Sequence, residues 1–145
     1  MSILDISIII FVFLETLNIL VLYFFPDSKY GNGVAVFNSW FYAKDDETSE
    51  LFAKYMANWV AGTKLIFIVL LIVILFMADQ ALKLVAILVV ILSILSYFFR
   101  LRPIIEKLDE MGEITPKGYS KYLNIMIYSF VSMFAIAVVL HLFGM

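Results

Sequence analysis

Two residues in this sequence carry charge where an apolar run would exclude it. Glu15 lies inside the run 3–25, and Lys64 lies inside a second run that ends near Met77. A charge at the centre of a bilayer costs at least about 2.5–3.5 kcal/mol on insertion scales, so one kept there needs a partner or a use. Counting inward from Leu4 and from Phe76 at ~1.5 Å per residue puts both about 16–18 Å deep, near the middle of a ~30 Å hydrocarbon core. A carboxylate and an ammonium at one depth can neutralise each other as a structural ion pair. They can equally hold an ion, a proton or a small polar molecule, or the lysine can reach away toward headgroups. Burial raises the pKa of such a carboxylate and a neighbouring cation lowers it; the sequence leaves that balance open.

Further polar residues fall at similar depth. Asn18 is one helical turn from Glu15, and the second run contributes Asn58 and Thr63. A third run carries Val90, Ser93, Tyr97 and Arg100 in one stripe, and a fourth carries Asn124, Tyr128, Ser132 and Ala135. The stripes predict four polar or small faces turned toward one interior. The candidate ligand- or proton-binding set is therefore Glu15, Asn18, Asn58, Lys64, Tyr97 and Tyr128. Ala53, Ala57 and Ala61 recur every fourth residue, a spacing that lets another backbone approach closely. The serines suit bonding within their own helices. Tyr23, Trp40, Trp59, Tyr119 and Tyr122 suit anchoring at the membrane interface, and Lys54, Arg100 and Arg102 suit reaching for headgroups.

Much chemistry is excluded by what is missing. With no cysteine and one histidine, His141, the chain offers no thiolate nucleophile, disulfide, Cys–zinc site or ordinary haem ligand set, so no metal and no cofactor are expected. No nucleophile–base pair is evident either; Glu15, Tyr97, Tyr128 and Arg100 are the residues left for acid–base work, and the balance leans away from an enzyme. A net charge of −2 gives no reason to expect nucleic acid.

The elements that must position these residues are read from the apolar runs. Of 145 residues, 64% are hydrophobic and 15% charged, and the mean hydropathy is +1.03. That composition fits lipid as the solvent and predicts an all-α fold, an up-down-up-down four-helix bundle in one domain. The spans are expected at about 3–25, 51–77, 81–99 and 119–143. The start lacks the basic flank of a cleaved leader, so the first run reads as a retained span. In the connection 26–50, Pro26-Asp27-Ser28 and Gly31-Asn32-Gly33 signal turns, and Val34, Phe37, Trp40 and Phe41 recur at helical spacing, as a surface helix or as loop anchors. The acids from Asp45 to Glu50 complement the positive end of the second helix. Asp79-Gln80 marks a tight hairpin. In the connection 100–118, a short surface helix follows Pro103 and ends at Gly112, and Thr115-Pro116 reads as the N-cap and first residue of the last helix. Eight basic residues fall in or beside these two connections and Lys83 alone flanks the other side, which predicts cytoplasmic connections and both termini outside a cell membrane.

A central glutamate in the first of four short spans resembles the small multidrug-resistance exporters. The resemblance covers the span number and Glu15, and implies transport through the membrane. The chain departs from it in the long first connection and in Lys64, which would compete with a cationic substrate for Glu15. Taken together, the residues point first to a small membrane protein that binds or transports a small molecule, ion or proton at a midplane pocket. A non-catalytic assembly subunit that works through its cytoplasmic segments is the alternative, and an intramembrane enzyme acting on a lipid or quinone comes third. The expected partners are the lipid bilayer, a small-molecule or ion ligand, and a second copy or a membrane-complex partner.

Overall fold

The computed structural model describes residues Met1–Gly144. Among them the regular structure is helical, and the one β-type pairing is an isolated antiparallel bridge between Phe37 and Ile114. Four helices are long and apolar enough to cross a membrane: α1 (Ile3–Phe24), α3 (Glu47–Met77), α4 (Gln80–Arg100) and α6 (Tyr119–Leu142). Two short helices, α2 (Asn38–Tyr42) and α5 (Arg102–Glu110), lie in the connections.

The helix ends follow local chemistry. Ser2 and Asp5 form a capping box at the start of α1, each side chain accepting from the other's backbone N–H. Asp46 caps α3 by accepting from Ser49 N, and Asp79 caps α4 by accepting from Leu82 N. Ala78 and Asp79 are all that separates α3 from α4. Pro103 lacks the N–H that would continue α4, so the chain breaks at Leu101 and restarts as α5.

The start of α6 departs from the sequence reading. Thr115 is not its N-cap: the Thr115–Pro116 peptide is cis, and the helix begins at Tyr119 behind Gly118, which has φ 84°. No side chain of the local sequence caps it. Asp109 of α5 does so from across the connection, its carboxylate accepting from Gly118 N (2.8 Å), Ser120 N (3.0 Å) and Ser120 Oγ (2.6 Å). Burial pushes the Asp109 carboxyl up, but the Ser120 hydroxyl and the two N–H groups outweigh it and hold it below its ordinary value.

α1 packs against α3, α4 and α6, and α4 packs against α6. One apolar core joins them, with Leu4, Ile8, Ile87 and Phe134 all but inaccessible. Phe11 sits within 5.0 Å of the Phe130 ring and 5.2 Å of the Phe134 ring. The outward faces are also apolar (Leu20, Ile66, Val69, Leu92, Ile125 and Ile136 among them), a surface suited to hydrocarbon.

The two connections do not run separately over the ends of the helices. They fold onto each other. Asn38 N donates to Glu113 O, Thr115 N donates to Val36 O, and the Asn38 side chain bonds both Gly112 O and the Thr115 hydroxyl. Val36 is fully buried in a second core with Tyr97, Ile105, Ile114 and Leu123. The alanine stripe on α3 is split: Ala61 enters the helix core, whereas Ala57 and Ala53 seat Trp40 and Ala35 of the first connection.

Candidate functional site

Glu15 and Lys64 are brought together. Lys64 Nζ lies 2.7 Å from Glu15 Oε2, with the side chains 29% (Lys64) and 15% (Glu15) exposed. The same ammonium donates to Asn18 Oδ1, which sits one turn along α1 from Glu15. Asn18 is buried, and its amide nitrogen donates onward to Gly31 O and to Asn32 O (3.0 Å). Asn32 Oδ1 then accepts from the Tyr119 hydroxyl at the start of α6. One chain of polar contacts therefore runs from α3 through α1 and the 31–32 turn to α6.

That turn comes close because of its glycines. Gly31 has φ 69°, and a Cβ there would meet Val21 Cγ2 at 2.9 Å. Only a residue without a side chain lets the backbone lie against α1 at the height of Val21 and present its carbonyls to Asn18. The Gly31-Asn32-Gly33 run reads as a turn in sequence, but nothing in it shows that the turn doubles back along α1.

Beside this network lies a cleft of about 410 Å³ between α1, the 31–32 turn and α6. Glu15, Asn18, Asn32 and Tyr119 supply its polar lining, while Leu14, Leu17, Leu123, Met126 and Phe130 make apolar walls. Among the described residues, Lys64 engages Oε2 of Glu15 and no hydrogen bond is made to Oε1. Beyond the polar lining, Phe11 with Phe130 and Phe134 fills the space between helices.

The other candidates stand apart from it. Asn58 is exposed and donates to Lys54 O of its own helix. Tyr97 is buried one layer away, where its hydroxyl donates to Asn124 Oδ1 (2.8 Å); Asn124 Nδ2 reaches Glu106 Oε1 at 3.4 Å, and Glu106 pairs with Arg102 at 2.8 Å. The Arg102 hydrogen bond holds the Glu106 carboxyl below its ordinary value. Tyr128 is 53% exposed and packs on Phe98, with ring centres 4.9 Å apart. Its stripe-mates Ser132 and Ala135 are exposed too, because α6 turns Leu123, Phe130, Phe134 and Ala137 inward. The expectation of four polar faces meeting in one interior therefore holds for α1. It holds in part for α3 and α4, where Ala57, Ala61, Val90 and Tyr97 are buried but Asn58, Thr63, Ser93 and Arg100 are exposed. It fails for α6 beyond Asn124. A hydroxyl that donates to a carbonyl of its own helix, as Ser129 does to Ile125 O, can face outward without leaving a polar group unsatisfied.

Residues read as an interface anchor, Trp40, and as a flanking charge, Lys83, have other work. Trp40 is buried, and its Nε1–H donates to Asp27 Oδ1 (2.7 Å), which also takes Lys44. The Lys44 ammonium, seconded by the Trp40 N–H, lowers the Asp27 pKa. Lys83 is buried and paired with Asp5 at 2.7 Å, tying the first turns of α4 and α1 together. The sequence signal for that pair was two opposite charges, each in the first turn of its own span. Tyr119, Asn32 and Asp109 carried no such signal.

Among the described residues, no group of three or more His, Cys, Asp or Glu side chains could hold a metal ion. The fold and its cleft define a small protein with four helices of membrane-spanning length and a polar site among them. No family model matches this chain, nor does any curated protein or solved structure.

Proposed function

We propose that this chain is an integral protein of the cell membrane, an up-down four-helix bundle that binds a small molecule in the cleft beside Glu15. The Asp5–Lys83 and Tyr97–Asn124 contacts support the alternating topology, since starts of α1 and α4 meet and the end of α4 meets the start of α6. The excess of basic residues in the connections supports cytoplasmic connections and outward termini.

The observation that carries the binding reading is the cleft itself. It presents a carboxylate whose charge is balanced by Lys64, next to an amide and a phenol, against apolar walls with room for a small ligand. Holding a ligand suits this arrangement better than passing one. The packed rings of Phe11, Phe130 and Phe134 stand in the way of a continuous polar path, and transport would require them to part. The acid–base reading has little to draw on, because Tyr97 and Tyr128 are not gathered around Glu15.

The test is native mass spectrometry of the protein released from its own membrane in mild detergent. A small-molecule adduct should accompany the wild type and disappear from Met126→Trp, which fills the cleft, while the melting temperature is kept. A wild type and a Met126→Trp protein that both fly free of any adduct would end the proposal.

A further inference from the structure

α3 outruns its neighbour. It starts 17 residues before Lys64, about 26 Å, whereas α1 ends nine residues after Glu15, about 14 Å. Its first turns thus project roughly 12 Å past the end of α1. One side of the projection is covered by Trp40 and Ala35 resting on Ala53 and Ala57. The flank beside that contact is not covered. There a groove of about 580 Å³ runs between residues 34–43 and the first turns of α3, with Phe37, Trp40, Phe52 and Met56 in its walls and Phe52 64% exposed.

The groove has a charged lip. Asp45, Asp46 and Glu47 fall between two of its lining residues, Ala43 and Thr48, and all three are exposed. Nearby cations do not compensate them: Lys44 is paired with Asp27 and Lys54 with Glu50, each at 2.7 Å. Among the described residues, no salt bridge is made to Asp45, Asp46 or Glu47. Although Asp46 also caps α3, an apolar trough whose acidic end has no salt-bridge partner is complementary to a helix with one apolar and one basic face.

The alternatives fit less well. Anionic headgroups on the cytoplasmic side would be repelled by three carboxylates at the lip. A second copy has little to offer, because the apolar face of α5, its own amphipathic helix, is spent on Ile105 and Leu108 in the core beneath α4 and α6.

We propose that this groove is a docking site for a basic amphipathic helix of a partner protein lying along the cytoplasmic face of the membrane. The site is separate from the cleft and needs only that the connections lie on the cytoplasmic side.

The experiment uses the full chain in phosphatidylcholine nanodiscs, with Thr48→Cys carrying an environment-sensitive fluorophore, since the natural sequence has no cysteine. The probes are an 18-residue leucine–lysine amphipathic helix and its leucine–glutamate counterpart. The lysine probe should bind saturably, and Phe52→Asp should weaken it at least tenfold without moving the melting temperature. Asp45→Lys with Glu47→Lys should hand the preference to the glutamate probe. Equal binding of the lysine probe to all three proteins would mean that it sees only the bilayer, and would overturn the proposal. So would a label already shielded in nanodiscs before any probe is added, which would assign the groove to lipid. Shielding that grows with protein concentration in detergent would assign it to a second copy, with the same consequence.

Discussion

Around Phe11 the long helices meet through aromatic rings and aliphatic chains, whereas around Asp109 and Asn38 two connections are fastened by hydrogen bonds to backbone groups. The first region fits a setting in which lipid is as apolar as the core, so contact there rests on packing and shape. The second has exposed backbone to satisfy, so direction and register matter more than volume. Between them lies the Glu15–Lys64–Asn18 cluster, which borrows from both. Its charges sit at the level of the helices, and its amide reaches the turn that begins the connecting layer. The comparison teaches that the polar residues inside the helices have a double role: they line the cleft, and they register the layer beneath it.

The sharpest way to break the comparison is to unbalance the cluster. Lys64→Met leaves Glu15 without its cation and should cost about 3 kcal/mol in detergent unfolding. Adding Glu15→Gln should recover most of that loss. If the double variant is no better than Lys64→Met alone, the pair is not what holds α1 to α3.

Asp109→Ala comes next, at about 2–3 kcal/mol, since it strips three donors at the start of α6 of their acceptor. The effect should also appear as a pH dependence. The Asp109 carboxyl titrates below its ordinary value of 3.8 in the folded protein, so its contribution is present above about pH 4 and fades as the pH falls below that. Wild type should lose stability in that acid window relative to Asp109→Ala, and parallel acid profiles for the two proteins would rule the cap out as the cause.

Gly31→Ala should cost about 1–2 kcal/mol, because φ 69° is strained for alanine and the new Cβ presses on Val21. Amide exchange in residues 31–36 should quicken with it, while the Phe11 region stays protected. Smallest of all should be Ser93→Ala and Ser129→Ala. Each hydroxyl bonds only a carbonyl of its own helix, and changes within about 0.5 kcal/mol in the melting experiment are expected. A large loss at either would mean that these helices meet something on their exposed faces.

How much of this could be read in advance varies residue by residue. The existence of four long apolar helices and their approximate limits were legible, because a spanning helix must be apolar over a length that the bilayer fixes. The tight turn expected at Asp79-Gln80 falls one residue earlier, at Ala78–Asp79. The pairing of Glu15 with Lys64 was one of the arrangements that their common depth allowed, beside a ligand held between them or a lysine reaching for headgroups. The site's remaining partners could not. Asn18 and Asn32 meet because Gly31 folds the connection back along α1, and Tyr119 joins them from a residue 87 positions further on. In the same way Asp109 caps a helix nine residues away, where the local pattern pointed to Thr115.

Sequence by itself determined the four apolar helices of membrane-spanning length and their ends where the capping residue is a neighbour, because these depend on composition and on groups a turn apart. Only the tertiary structure decided which face of each helix is inside and which distant group completes a cap. It also decided that two polar connections form one layer. The physical reason is that an apolar helix face shows no preference between lipid and protein, so its orientation is set by shape and by a few long-range hydrogen bonds that no local pattern records.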